Sequence, residues 1–211
     1  MKKIICIFSM AACLLCGGKS FAQFGWGFRA GFQMTTQTND VNSDNLKHPL
    51  IPGANAGVFG EYFFNDNMSV TADLLYSLEG YRDKYNNFKF TVRLHDIDLP
   101  IAFNYYLMDN RLGLQVGPEL GFTLAGKYNY SYENKNYGAN TKGDIQDEAI
   151  NKFNVGLMVG ANYFFTENFF AGLRGVFGLT NSLNDFKLQS DTWEPVNSKN
   201  IVLSLNAGYR F

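Results

Sequence analysis

The chain has 211 residues, with 18 basic and 19 acidic side chains and a formal net charge of −1. This length suits one domain, and the chain lacks the basic excess of a nucleic-acid-binding protein. Twenty phenylalanines, twelve tyrosines and 21 glycines are many for an ordinary globular protein, and they favour β structure with aromatic edges.

The first 22 residues have the pattern of a secretory signal peptide. Lys2 and Lys3 form a basic start, an apolar run covers 4–15, and small residues precede a cut after Ala22. The run of about 12 apolar residues is shorter than the roughly 20 that a membrane-spanning helix needs. We therefore expect an exported mature domain over residues 23–211.

All three cysteines lie within that first segment. Cys13 follows two alanines and is the alternative, a lipoprotein acceptor, but the apolar Leu14 and Leu15 after it do not suit a mature N-terminus. A mature chain without cysteine excludes disulfides, thiol redox chemistry and thiolate metal sites. It keeps 15 basic and 19 acidic residues, a net charge of −4, so no nucleic-acid partner is expected.

Period-two alternation of apolar and polar residues dominates the mature chain, and no amphipathic helix is evident. In the first segment Phe24, Trp26 and Phe28 share a face that is opposite Arg29. Eight segments show the pattern, at 24–34, 53–64, 69–81, 94–107, 111–124, 152–165, 169–180 and 200–211. They predict eight β-strands in an antiparallel up-and-down order.

The connections alternate between short and long. The short turns are at 65–67, 108–110 and 166–168, and the long polar loops are at 35–51, 82–93, 125–151 and 181–199. Outer-membrane barrels have this asymmetry. The fourth segment is irregular, because its apolar residues are even-numbered over 88–94 and odd-numbered over 97–105. A bulge near His95–Asp96, or strands that extend beyond the membrane, would explain the change.

The polar face of the predicted strands carries charges of both signs among many glycines, which is typical of a closed, ion-paired interior. These charges are Arg29, Glu61, Asp73, Glu79, Asp98, Glu119, Arg174 and Arg210. We expect them to form a structural network, because buried charges must pair. Arg29 and Arg210 are predicted to be neighbours at the closing seam. A gated ion path is the alternative role.

Aromatic residues gather beside the short turns and at both chain ends. The predicted girdle contains Trp26, Tyr62, Tyr105, Tyr163, Phe169, Tyr209 and Phe211. A ring of this kind is the interfacial belt of a membrane barrel. Hydrocarbon cannot satisfy a free sheet edge, so eight strands must close, and their interior is just filled by side chains. A general pore is therefore not expected. A soluble, lipocalin-like barrel with its apolar face inside is the alternative.

Three stretches carry a resemblance to a known family: "ADLLYSLEGYR" (72–82), "IDLPIAFNYYL" (97–107) and "LQVGPELGFTL" (114–124). They resemble the PorT-like, outer membrane protein β-barrel domain family, within the wider OmpA/OmpX-like eight-stranded barrels. The resemblance implies an integral outer-membrane protein inserted by the barrel-assembly machinery, with no family-wide catalytic activity. The terminal Phe211 resembles the signal read by that machinery.

An enzyme acting on outer-leaflet lipid is the alternative function. Ser77, Glu79 and His95 are close in the predicted sheet, and a serine, a histidine and an acid can form a catalytic set. The same serine and glutamate are equally expected in any polar lumen. We therefore predict no enzyme activity, no cofactor and no metal site.

The long loops are the remaining functional candidates. The third contains Tyr128, Tyr130, Tyr132 and Tyr137, and the fourth contains Trp193. Tyrosines among Asn, Ser and Gly form adaptable binding surfaces, although the first three could also extend a strand. The sequence thus predicts a monomeric outer-membrane barrel with a structural or adhesive role. Its expected contacts are outer-membrane lipid and an extracellular loop partner of unknown identity.

Overall fold

The computed structural model describes residues 24–39, 46–47, 49–85, 88–134, 137–144, 151–180 and 198–211. The expected signal peptide, Trp193 and most of the loop predicted over 181–199 lie outside these ranges. Within them no helix is long and apolar enough to span a membrane. The strands, in chain order, are β1 Phe24–Asn39, β2 Leu46–Lys47, β3 Ile51–Asn65, β4 Met68–Tyr85, β5 Phe88–Leu107, β6 Leu112–Asn134, β7 Tyr137–Asp144, β8 Phe153–Phe164, β9 Phe169–Gly178 and β10 Ser198–Arg210.

Eight of these strands form a closed antiparallel ring in the order β1, β3, β4, β5, β6, β8, β9, β10. The first and last strands pair from Gly27↔Arg210 to Asn39↔Ser198, which is the closing seam expected from the sequence. The predicted all-β, eight-stranded antiparallel barrel is therefore confirmed. The two additional strands are outside the ring order, with β2 paired to β4 and β7 paired to β6.

The apolar face of the barrel points outward. Along β10, Leu203 and Leu205 are 56% and 58% exposed, whereas Ser204 and Asn206 between them are each 4% exposed. A barrel stabilised by an apolar core in water would have the opposite arrangement. The alternating residues in the sequence thus form an apolar exterior and a largely polar interior, as in transmembrane barrels.

The two ends of the barrel differ. The three short turns lie at one end, called here the turn end, together with the start of β1 and the end of β10. There Phe211 N–H donates to the Trp26 carbonyl at 2.8 Å, and Arg210 N–H donates to the Asn168 carbonyl at 2.9 Å. The opposite end, called here the hairpin end, carries the β6–β7 hairpin.

Two of the predicted long loops are wrong, because strands occupy most of them. β4 continues to Tyr85 and β5 begins at Phe88, so the loop predicted over 82–93 is largely sheet. β6 continues to Asn134 and pairs with β7, which fills much of 125–151. The loop predicted over 35–51 is also shorter, since β1 ends at Asn39. In the extension of β5, Val92 and Leu94 are buried and Arg93 between them is exposed, so there the inner face is apolar and the outer face is polar.

The change of apolar parity in β5 has a clear origin. Even-numbered residues face inward throughout, as the pairs Ser77↔Asp96, Glu79↔Leu94 and Tyr81↔Val92 show. At the hairpin end this inner face is apolar, with Tyr81, Val92 and Leu94 packed together and buried. The parity therefore changes because the strands extend beyond the apolar belt. The bulge predicted near His95–Asp96 is present at that level.

The extra residue of the bulge lies on β6. The β5–β6 register shifts between His95 and Asp96, whose partners are Ala125 and Thr123. Leu124 is therefore the residue without an opposite partner, and both Leu124 and Ala125 are exposed on the outer face. A bulge of this kind increases strand twist and re-aims the strand above it.

Candidate functional site: the barrel interior and its two rims

One carboxylate between two guanidinium groups forms the centre of the polar interior. Asp73 Oδ2 lies 3.3 Å from Arg29 Nε and 2.9 Å from Arg174 Nη1. Arg174 Nη2 also donates to Gln115 Oε1 at 3.3 Å. The side chains of this ion cluster are at most 4% exposed. Since β1, β4 and β9 supply them, the cluster connects distant parts of the ring across the lumen.

A plug of aromatic side chains fills the lumen at the turn end. Phe59, Tyr106, Phe164 and Phe170 form one buried cluster, with Phe63 packed against it. The Phe59 and Phe170 ring centroids are 5.7 Å apart in an edge-to-face arrangement, and those of Phe164 and Phe170 are 5.2 Å apart. Such pairs contribute beyond the area they bury.

Two arginines pack against this aromatic plug. The Arg29 guanidinium lies 4.8 Å from the Phe59 ring centroid, and that of Arg210 lies 4.4 Å from the Phe164 centroid. Arg210 Nη1 is 3.2 Å from Glu61 Oε2, while the Tyr106 and Ser69 hydroxyls donate to Glu61 Oε1. Ion pairs and cation–π contacts thus both stabilise the packed side chains at the turn end.

The aromatic plug was not predicted from the sequence, although a signal for it is present there. Adjacent aromatics occur beside the turns, as in Tyr105-Tyr106 and Phe169-Phe170. Because neighbouring strand residues point to opposite faces, one member of each pair must enter the lumen. Tyr105 is 41% exposed and Tyr106 is 4% exposed, and Phe169 and Phe170 are 57% and 3% exposed.

The predicted charge network separates into two layers. Arg29, Glu61, Asp73, Arg174 and Arg210 are paired near the turn end, as described above. The remaining predicted members lie nearer the hairpin end, where they line a small cavity of about 40 Å³ together with Asp96; they are Glu79, Asp98 and Glu119. No basic side chain is among the described residues that line this cavity. A single ion-paired network was therefore too simple a prediction.

The acidic layer has no ready metal geometry. In the described ranges, no three His, Cys, Asp or Glu side chains are placed to hold a metal ion.

An apolar layer also crosses the interior, formed by Ala102, Met158, Val176 and Val202, which are all buried. The lumen thus contains polar and apolar side chains in successive layers.

The serine, histidine and acid considered as a catalytic set are not brought together. Ser77 is paired with Asp96 in the ladder and is 2% exposed, so it lies on the inner face. His95 is paired with Leu78 and lies on the outer face. There its Nδ1 is 2.5 Å from the Tyr76 hydroxyl oxygen. The sheet separates the serine from the histidine.

The predicted aromatic girdle lies on the outer face around the turn end. Trp26, Tyr62, Tyr105, Tyr163, Phe169 and Phe211 are each at least 40% exposed, and Tyr209 is partly exposed. Trp26 and Phe211 are stacked with their centroids 4.3 Å apart. Phe169 and Tyr209 meet edge to face at 4.8 Å. These contacts tie the last strand to both of its neighbours.

The predicted loop tyrosines belong to strands. Tyr128, Tyr130 and Tyr132 lie in β6 and Tyr137 begins β7, so the strand interpretation holds for them. Tyr128 stacks on Phe90 with centroids 6.4 Å apart, and it packs against the inner apolar cluster of the hairpin end. Tyr130 and Tyr132 are half-buried.

Comparison with known proteins agrees with this architecture. Residues 21–184 match the family described as "Outer membrane protein beta-barrel domain". No curated protein matches the chain. Similar solved structures include Ail, the attachment invasion locus protein of Yersinia pestis (14% identity, TM-score 0.47, 90% of this chain and 99% of that chain). Neisserial surface protein A is another, with 13% identity and a TM-score of 0.49 over 88% of this chain and 97% of that chain. The chain belongs to the outer membrane protein β-barrel domain family, whose place is the outer membrane.

Proposed function

We propose that this barrel is a non-catalytic structural or adhesive protein that acts through the segments projecting from its hairpin end. Bacterial barrels place short turns in the periplasm and long connections outside the cell, so the hairpin end is the extracellular one. The proposal includes a monomeric, PorT-like barrel that carries a cleaved signal peptide. Its partners are outer-membrane lipid, the barrel-assembly machinery and an extracellular molecule.

The observation that carries this proposal is the continuation of β4, β5, β6 and β7 beyond the apolar belt. The β6–β7 ladder runs from Lys127↔Asp144 to Asn134↔Tyr137. A paired hairpin on a rigid ring presents side chains at lower entropic cost than an unstructured loop does. Tyr130 and Tyr132 provide amphipathic contact area on this hairpin.

The filled lumen supports a role other than general diffusion. The aromatic plug and the ion cluster occupy the lumen at and near the turn end, and eight strands leave little space beyond side chains. Among the described residues, Ser77 and His95, which the lipid-enzyme alternative would pair, lie on opposite faces of the sheet. Surface segments are then the parts available for recognition.

The hairpin can be shortened without changing the strand register. Asn129 and Lys142 are opposite each other, so replacing residues 130–141 by Asn-Gly would join them through a two-residue turn. We expect cells with the shortened protein to attach to surfaces coated with matrix proteins only as well as cells without the protein. The shortened protein should fully restore the barrier of the outer membrane to detergent, because its barrel is intact.

The control is the amount of folded protein, measured by heat-modifiable gel mobility of the wild-type and shortened barrels. Comparison of the two readouts separates adhesion by the hairpin from support by the barrel. If cells lacking the protein match wild-type cells in both attachment and barrier, the proposed function is wrong.

A further inference from the structure

On β4, β5 and β6, the outer wall of the barrel changes from largely apolar to basic between two successive outward-facing rows. One row contains Leu78, His95 and Ala125, and the next contains Gly80, Arg93 and Lys127. Residues two apart on a strand are separated by roughly 7 Å, so the change is abrupt. The strands run through it without a break in the β4–β5 parity. The basic surface is thus a direct continuation of the lipid-facing wall.

Tyr76 marks the level at which the apolar belt ends. It is 43% exposed on the outer face, and its hydroxyl group is hydrogen-bonded to His95 one row nearer the hairpin end. Tyrosine is enriched where the hydrocarbon meets the headgroups, because its ring is apolar and its tip is polar. The basic rows just beyond it therefore lie at headgroup height.

A surface concavity with a volume of about 640 Å³ lies in this basic part of the wall. Five of the residues that line it are basic and one is acidic: Arg82, Lys89, Arg93, Lys127, Lys142 and Asp144. The cross-strand ladder explains how they come together. One row across the four strands contains Arg82 and Lys142, with Thr91 and Asn129 between them. The adjacent row contains Arg93, Lys127 and Asp144.

The two arginines are held along the wall by hydrogen bonds. Arg82 Nε donates to Thr91 Oγ1 at 3.1 Å, and Arg93 Nη1 donates to the Pro52 carbonyl at 2.8 Å. A guanidinium group has five N–H donors, so each of these bonds leaves donors for a second acceptor. Behind the arginines, Val92 and Leu94 are each 1% exposed and form a packed support.

We propose that this basic concavity is a docking site for the phosphate groups of an outer-leaflet lipid. Arginine binds phosphate through paired, charge-assisted hydrogen bonds, and lysine supplies further positive charge. Clusters of basic residues beside a membrane-spanning segment bind anionic headgroups. The direction of the surface favours a lipid over a soluble polyanion, because it faces sideways along the bilayer rather than outward from the cell.

This site is separate from the hairpin role proposed above. Its charged residues lie on the outer face of the extended sheet, and Tyr128, which packs against the inner apolar cluster, also lines the concavity. Failure of the adhesion experiment would leave the lipid site untouched. The shortened hairpin retains Lys127 and Lys142, and the variant that tests the lipid site retains residues 130–141, so the two tests are independent.

The test is native mass spectrometry of the delipidated protein in detergent, with bisphosphorylated lipid A and fully dephosphorylated lipid A as probes. The variant Arg82→Gln/Arg93→Gln/Lys127→Gln removes three positive charges from the concavity. The matched control Arg111→Gln/Lys152→Gln/Lys199→Gln removes three exposed charges elsewhere. Heat-modifiable mobility verifies that each variant folds. If the triple variant does not fold, Lys127→Gln alone is used.

We expect the wild type and the control to bind the phosphorylated probe, and the triple variant to bind it at least about tenfold more weakly, since charge-assisted hydrogen bonds are lost. Lys127→Gln alone should weaken binding in the same direction. Equal affinity of wild type and concavity variant, or equal affinity for the two probes, would overturn the proposal. A heparin fragment provides the last arm. If it binds the wild type while phosphorylated lipid A does not, the site recognises soluble polyanions and the lipid proposal is wrong.

Discussion

Replacing Asp73 by asparagine is expected to lower the free energy of unfolding of the barrel by about 3–5 kcal/mol, the cost of leaving buried charge without its partner. Asp73 is the common partner of Arg29 and Arg174, at 3.3 and 2.9 Å. All three side chains are almost completely buried. The amide of asparagine has nearly the shape of the carboxylate but no charge, so both guanidinium groups would lose their counter-ion without creating a cavity.

Urea titration of the protein in lipid vesicles measures this effect. Asp66→Asn is the matched control. It makes the same chemical change at the surface, because Asp66 is exposed in the turn between β3 and β4. The control should unfold within about 0.5 kcal/mol of the wild type. A similar shift for both variants would show that the ion cluster does not stabilise the lumen.

Deleting Phe211 is expected to prevent most of the protein from assembling in the outer membrane, while export across the inner membrane continues. Phe211 closes the seam, since its N–H donates to the Trp26 carbonyl and its ring stacks on Trp26 at 4.3 Å. Its ring also meets that of Tyr209 edge to face at 4.8 Å. Removal takes away this hydrogen bond and the ring contacts of Phe211, and leaves the ladder between the first and last strands to begin at Gly27↔Arg210.

Pulse-labelling followed by fractionation and heat-modifiable mobility measures the assembled fraction. Phe211→Tyr keeps an aromatic end and should assemble normally. Phe165→Ala removes another ring from the turn end, one that is 63% exposed and distant from the seam, so it controls for general loss of aromatic surface. If the truncated chain assembles like the wild type, the terminal residue has no part in closure or recognition.

Alternation allowed the barrel to be predicted from the sequence. Outside the bulge in β6, each strand keeps one inward-facing parity, and eight apolar faces without a helix require closure, so the seam between β1 and β10 followed. The extensions of β5 and β6 were expected only as alternatives, and that of β4 was missed, because strand length was judged from apolar residues. Beyond the belt the outer face carries residues such as Arg93 and Lys127, and the same strands then have the polarity of loops.

The arrangement within the lumen could be predicted only in part. Parity identified which charged side chains point inward, but pairing depends on the stagger of the strands, which sequence periodicity does not determine. Arg29 is opposite Gly208 rather than Arg210, and the two arginines have separate acidic partners. The plug was missed because the aromatics beside the turns were considered only for the outer girdle, and no role was assigned to inward-facing neighbours such as Tyr106 and Phe170.

The most direct test of the central claim, a barrel with lipid outside and packed side chains inside, is cysteine labelling along β10. The chain from Gln23 to Phe211 contains no cysteine, so single variants at Leu203, Ser204, Leu205 and Asn206 can be made in it. Each folded variant in lipid vesicles is treated with one lipid-soluble and one water-soluble maleimide. We expect Leu203→Cys and Leu205→Cys to react with the lipid-soluble reagent alone, and Ser204→Cys and Asn206→Cys to react with neither. Reaction of the inner positions with the water-soluble reagent would reveal an open aqueous lumen and contradict the account.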